Sequence, residues 1–123
     1  MAKVVMVVDD SKMSREVIRM SLEKADYQVI LAENGEQAID KLKTDNKVDL
    51  IILDLVLPGL DGFGVLCIIK NDPVLKNIPV IIFTNRESEA DRQEALELGA
   101  IDVMVKHRES QDDLVKYIKQ LIQ

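Results

Sequence analysis

Apolar residues follow two alternating rhythms along this chain. Short apolar runs rich in β-branched residues predict strands over Val4–Val8, Gln28–Ala32, Asp49–Asp54, Val80–Thr84 and Ile101–Val105. Runs of that length without polar alternation suit strands buried on both faces, as in a parallel sheet. Between them, apolar positions recur at helical spacing. The first helix follows Ser11 as its N-cap. Met13, Val17 and Met20, beside Ile18, Leu22 and Ala25, mark its expected core stripe. Asn34-Gly35 reads as a turn, after which Ala38, Ile39 and Leu42 form the apolar face of a second helix. Gly62–Lys70 is a third helix, stopped before Pro73, and Ser88–Leu98 a fourth, with Ala95 and Leu98 inward and Gly99 as its left-handed closing residue. Leu114, Val115, Ile118, Leu121 and Ile122 build the last.

Strand then helix, five times over, predicts an α/β fold: a five-stranded parallel sheet with right-handed crossovers and helices on both faces. The expected strand order is 2-1-3-4-5, the flavodoxin-like (βα)5 arrangement. No repeat or linker interrupts residues 1–123, which are expected to form one domain without an effector domain.

Composition narrows the function. The net charge of −6, with no basic stripe, opposes direct nucleic-acid binding. The longest apolar runs are about five residues, too short for membrane insertion. Lys3 is not followed by the apolar stretch of a signal peptide, and the single cysteine, Cys67, excludes an internal disulfide; both suit a cytoplasmic location. Cys67 lies in the mostly apolar Phe63–Ile69 and reads as an inert small hydrophobe.

The residues that end the strands carry the chemistry. The first strand ends on Asp9-Asp10, the third on Asp54, the fourth on Thr84 and the fifth on Lys106. In the expected order the first and third strands are neighbours, flanking the switch point where open α/β sheets bind ligands. Three carboxylates would then converge. Two unit charges 4 Å apart repel by about 4 kcal/mol at an effective dielectric near 20, against a total domain stability of about 5–15 kcal/mol. Lys106 brings one positive charge, and a divalent cation would supply the rest. Oxygen donors without His or Cys select a hard ion such as Mg²⁺. Asp10 and Asp54 are expected to coordinate it directly and Asp9 through water, with the backbone carbonyl of Val56 as a further ligand. Such a site suits phosphoryl transfer, with Asp54 attacking phosphorus while Lys106 and the Thr84 hydroxyl each take an oxygen. Singly, each residue has a plainer reading: Thr84 a β-branched strand end, Lys106 a solvated lysine, Asp9-Asp10 a helix-capping pair. Together, four complementary groups at one sheet edge outweigh those readings.

Val8–Ser11, Ala32–Ala38, Asp54 with Leu57-Pro58 and Asp61-Gly62, Ile82–Thr84, Gly99-Ala100 and Lys106 together resemble the receiver domain of two-component response regulators, of the stand-alone chemotaxis type. The strand order given above is that family's own and is not independent of the resemblance. The resemblance implies that Asp54 accepts a phosphoryl group from the phosphohistidine of a sensor histidine kinase or histidine phosphotransfer protein. It implies Mg²⁺ held by Asp9, Asp10 and Asp54, and contacts from Thr84 and Lys106 to the phosphoryl group. A shift of those two residues would remodel the face formed by the fourth helix, fifth strand and fifth helix, where a downstream protein binds. The domain would catalyse its own phosphorylation and slow hydrolysis, and would not be a turnover enzyme.

Three positions depart from the family's pattern. His107 stands where proline commonly follows the lysine, and a trans bond is expected there because a non-proline cis bond costs about 2.5–4 kcal/mol. Val103 stands at the aromatic switch position, and Asn85 where a small residue follows Thr84. His107 reads as a solvated loop imidazole. Val56, apolar beside Asp54, implies slow dephosphorylation, and Val103, Arg86, Glu89 and Tyr117 are the expected output-face residues. Two other readings stay open. A pseudo-receiver scaffold would keep the fold without phosphorylation. An aspartate-nucleophile phosphatase of the haloacid-dehalogenase type would need a second Asp where Val56 stands.

Overall fold

The computed structural model describes residues 2–44 and 47–122; Met1, Asp45, Asn46 and Gln123 lie outside it. Ten elements alternate: β1 Val4–Val8, α1 Lys12–Lys24, β2 Gln28–Ala32, α2 Gly35–Thr44, β3 Leu50–Leu53, α3 Gly62–Lys70, β4 Val80–Thr84, α4 Glu89–Glu97, β5 Asp102–Val105 and α5 Gln111–Leu121. The strands form one parallel sheet in the order β2-β1-β3-β4-β5. This is the expected flavodoxin-like (βα)5 fold.

The sheet has a core on each face because successive strand side chains point to opposite sides. Val5, Val7, Leu50, Ile52, Ile81 and Phe83 pack with Ile18 and Leu22 of α1 and Leu114 and Ile118 of α5. Met6, Val8, Ile51, Leu53 and Ile82 pack with residues of α2, α3 and α4. Among the described residues, no helix is long and apolar enough to cross a membrane.

Hydroxyl and carboxylate caps set four helix starts: Ser11, Asp61, Ser88 and Ser110 each accept a hydrogen bond from a first-turn backbone N–H. Gly99, at φ +113°, follows α4 as expected. Asn34-Gly35 is not a free turn. α2 already begins at Gly35, and Asn34 Oδ1 accepts from Gln37 N at 2.8 Å as a cap.

The expected stripe of α1 is corrected. Met13 and Met20 are 78% and 58% exposed, and Val17 is also exposed, while Arg15, Ile18 and Leu22 are buried. At about 100° per residue, positions 13, 17 and 20 lie roughly 100–160° around the helix from Ile18. The helix carries two apolar rows, and the sheet takes only one. Cys67 is likewise exposed, on the solvent side of α3, and so is not a packed hydrophobe. Leu121 is exposed at the end of α5.

Candidate functional site

The site is built at the ends of strands by ladder hydrogen bonds that run one residue past each strand. Asp9 N donates to Ala32 O at 3.1 Å, Asp54 N to Val8 O at 3.0 Å, and Lys106 N to Thr84 O at 2.8 Å. These bonds fix the backbone of all three residues at one edge of the sheet. The loop after β3 is held close as well. Gly62 N donates to Leu55 O at 3.0 Å, and a Cβ on Gly62 would collide with the carbonyl oxygen of Asp54.

The side chains converge on Lys106. Its Nζ stands 2.5 Å from Asp9 Oδ2, 2.9 Å from Asp54 Oδ2 and 3.1 Å from Ser14 Oγ. Asp9 and Asp54 are buried and Asp10 is exposed. Each of the three acids offers a carboxylate oxygen, and these oxygens all lie within 4.8 Å of one another. Asp54 Oδ1 accepts from Val56 N at 3.0 Å. Asp9 Oδ1 accepts from Ser11 N at 2.9 Å, and its Oδ2 accepts from the Ser14 hydroxyl at 2.6 Å. Burial works against the Lys106 charge, but the hydrogen bond it donates to Asp9 and the charge of Asp54 outweigh it and hold the ammonium above its ordinary pKa. One ammonium still faces three acids. The donor set is all oxygen, the charge is uncompensated, and the oxygens are close enough for one ion, so the residues present fit a hard divalent cation.

Thr84 is fully buried at the end of β4, where its Oγ1 accepts from Arg86 N at 3.3 Å. Val56 is half exposed beside Asp54. The sequence thus points to the residues that the fold gathers here: Asp9, Asp10, Asp54 and Lys106 meet, with Thr84 at the adjacent strand end.

Two members of the cluster escaped the sequence reading. Ser14 links Asp9 to Lys106, and the buried Arg15 donates from NH1 to Asp9 O at 2.8 Å and stands 3.5 Å from Glu33. The signal was present. Side chains in a helix tilt toward its N-terminus, so polar residues in the first turn after Asp9-Asp10 point back at the acids.

The departures also have partners. His107 is an exposed turn residue, as expected of a solvated loop imidazole, and it also has partners: its Nε2 lies 2.6 Å from Glu87 Oε2 and its Nδ1 3.3 Å from Asn85 Oδ1. The bond before it is trans, as expected. Val103 is buried rather than displayed, and Arg92 NH1 donates to its carbonyl at 3.1 Å. Arg86 and Glu89 are exposed.

Residues 5–119 match the sequence profile of the response regulator receiver domain. The chain belongs to that family. This receiver domain is 39% identical over 106 residues to the alkaline phosphatase synthesis transcriptional regulatory protein PhoP of Bacillus subtilis. The match takes in 86% of this chain but only 43% of PhoP, so the chain spans less than half the length of that relative. Its fold superposes on the chemotaxis response regulator CheY4 of Vibrio cholerae with a TM-score of 0.90 at 27% identity, covering 99% of this chain and 100% of that one. The Mn²⁺-bound form of response regulator Rcp1 matches at a TM-score of 0.82 and 31% identity, over 97% of this receiver domain and 91% of Rcp1.

Proposed function

We propose that this receiver domain accepts a phosphoryl group on Asp54 from the phosphohistidine of a sensor histidine kinase or a histidine phosphotransfer protein. One observation carries the reading: Lys106 Nζ bridges Asp9 and Asp54 at the edge where three acid oxygens gather within 4.8 Å. In the transfer, an Asp54 carboxylate oxygen forms a bond to phosphorus as the phosphorus–nitrogen bond of the donor breaks, and the electron pair leaves on the imidazole nitrogen. Val56 N holds Asp54 Oδ1 and so fixes the orientation of the carboxylate. Lys106 neutralises the transferred oxygens and the Thr84 hydroxyl donates a hydrogen bond to one of them, since such chemistry rests on positioning and charge compensation. Asp10 and Asp54, with Asp9 behind them and the Val56 carbonyl beside them, would hold Mg²⁺, which supplies positive charge to the transferring group. Rcp1 is a relative with a divalent cation bound, which supports this assignment.

The chemistry is self-modification and slow hydrolysis rather than turnover. Val56, half exposed beside Asp54, sets an apolar group near the path of an attacking water and favours a long-lived adduct. The signal leaves through the face of α4, β5 and α5, toward a downstream protein and not toward nucleic acid, as the net charge of −6 favours. The domain works in the cytoplasm. A pseudo-receiver is the second reading, motivated by the His107–Asn85 contact between the loops that follow β4 and β5. Labelling with Mg²⁺ and phosphoramidate separates the two. An adduct lost in Asp54→Asn supports the phosphoacceptor, and no adduct with any small donor or kinase supports the scaffold.

A further inference from the structure

Ser14 has no part in the transfer as described, yet its hydroxyl lies at the centre of the polar cluster. Its Oγ–H donates to Asp9 Oδ2 at 2.6 Å, and its Oγ accepts from Lys106 Nζ at 3.1 Å. An ammonium has three donors and no acceptor. Those of Lys106 meet three oxygens: Asp9 Oδ2, Asp54 Oδ2 and Ser14 Oγ. Ser14 supplies the uncharged one.

Asp9 is equally occupied. Its Oδ1 accepts from Ser11 N, and its Oδ2 takes both the Ser14 hydroxyl and the lysine. Ser14 is itself fixed, because its backbone N–H donates to the Ser11 cap at 3.2 Å. A cavity of about 260 Å³, bordered by Ser11, Ser14, Phe83 and Lys106, adjoins this group and leaves space beside the lysine. Whether it stays depends on the strength of its three hydrogen bonds.

We infer that Ser14 is a positioning residue that holds Lys106 against Asp9 and over Asp54 while no phosphoryl group is bound, and thereby sets how readily the acids accept a divalent cation. An incoming cation competes with the ammonium for the negative charge of the same carboxylates. The hydroxyl opposes the cation twice, as an acceptor that holds the lysine and as a donor that occupies Asp9 Oδ2. A methyl at position 14 removes both effects. Hydrogen bonds to charged groups are the stronger kind, and the loss converts to Mg²⁺ binding about 3- to 10-fold tighter in Ser14→Ala. The same change leaves the lysine less well placed over Asp54. At saturating Mg²⁺ the phosphorylation rate therefore falls by about 3- to 10-fold. That second effect rests on the phosphoacceptor reading above; the first does not.

The test compares wild type, Ser14→Ala and Ser14→Thr. Alanine is the best helix former, so the first variant keeps the propensity of α1. Mg²⁺ titration followed by amide NMR gives the dissociation constant. Nitrogen-15 NMR of the lysine side chains in metal-free protein reports how fast the Lys106 ammonium protons exchange. Labelling with acetyl phosphate at saturating Mg²⁺ gives the rate. Tighter Mg²⁺ binding, faster ammonium exchange and slower labelling in Ser14→Ala, all restored in Ser14→Thr, support the inference. Mg²⁺ binding in Ser14→Ala as weak as in wild type, or weaker, overturns it, as does unchanged ammonium exchange. A wild type that takes no phosphoryl group from any donor removes the phosphoacceptor reading, while the titration and the exchange rate still decide the role of Ser14.

Discussion

Lys106 stands 2.9 Å from Asp54 although their strands are not neighbours: β4 lies between β5 and β3. The same ammonium goes on to Asp9, at the end of β1, and meets it at 2.5 Å. One side chain therefore ties together the ends of three strands. It does so against its own desolvation, because two buried carboxylates favour the charge more than burial opposes it.

Removing that charge leaves the acids facing each other. Breaking a buried ion pair costs about 3–5 kcal/mol. Lys106 keeps 17% of its side chain exposed, and solvent screens part of the loss. Lys106→Met is expected to destabilise the metal-free protein by about 1–3 kcal/mol. Mg²⁺ should then stabilise this variant more than the wild type, because the ion replaces the missing charge. Urea denaturation of both proteins, with Mg²⁺ and with a chelator, checks the difference.

Two glycines in α3 should respond differently to alanine. At Gly62 a Cβ would strike the backbone of Asp54 and Leu55, which cannot give without moving the site. At Gly64 it would meet the end of the flexible Leu60 side chain at 2.6 Å. Gly62→Ala is expected to cost about 2–3 kcal/mol and to slow labelling of Asp54. Gly64→Ala should stay within about 1 kcal/mol of wild type, since the helix gains propensity. Thermal melts and labelling rates of the two variants decide the matter.

Alkaline pH should unfold the protein through groups with raised pKa. Burial holds the Tyr27 phenol above its ordinary 10.0, and burial with Asp102 does the same for Tyr117. Lys106 is held above 10.5. In each case the fold favours the protonated form. The stability this gives is complete below the unfolded-state value and is lost as pH rises through the folded one. Lys70, whose ammonium burial pushes down, works in the opposite sense. Denaturation midpoints should be nearly level between about pH 7 and 9 and fall above about pH 10. Lys106→Met should flatten that fall, and an equal fall in the variant would count against the lysine's share.

The outer row of α1 shows where the sequence misleads. Strand runs, the Ser11 cap of α1 and the acids at strand ends were legible because each depends on local chemistry: an apolar run, a hydroxyl before a helix, a carboxylate after a strand. Which of two apolar rows on α1 meets the sheet is a tertiary matter, and periodicity alone does not show that Met13, Val17 and Met20 form the exposed row. Arg15 and Ser14 were overlooked for a related reason. Their partner Asp9 is near in sequence, but Lys106, which completes the Ser14 cluster, lies 92 residues away. Met13→Gln and Met20→Gln should change stability by less than about 0.5 kcal/mol; a larger loss by urea denaturation would mean that the row is covered.

The most direct test is to find where the phosphoryl group goes. The protein is incubated with acetyl phosphate and Mg²⁺, reduced with borohydride to trap any acyl phosphate, and mapped by peptide mass spectrometry. Modification at Asp54 that needs Mg²⁺ and falls sharply in Lys106→Met is the expected result. Modification at Asp9 or Asp10 instead, or none at Asp54 with the ion present, would contradict it.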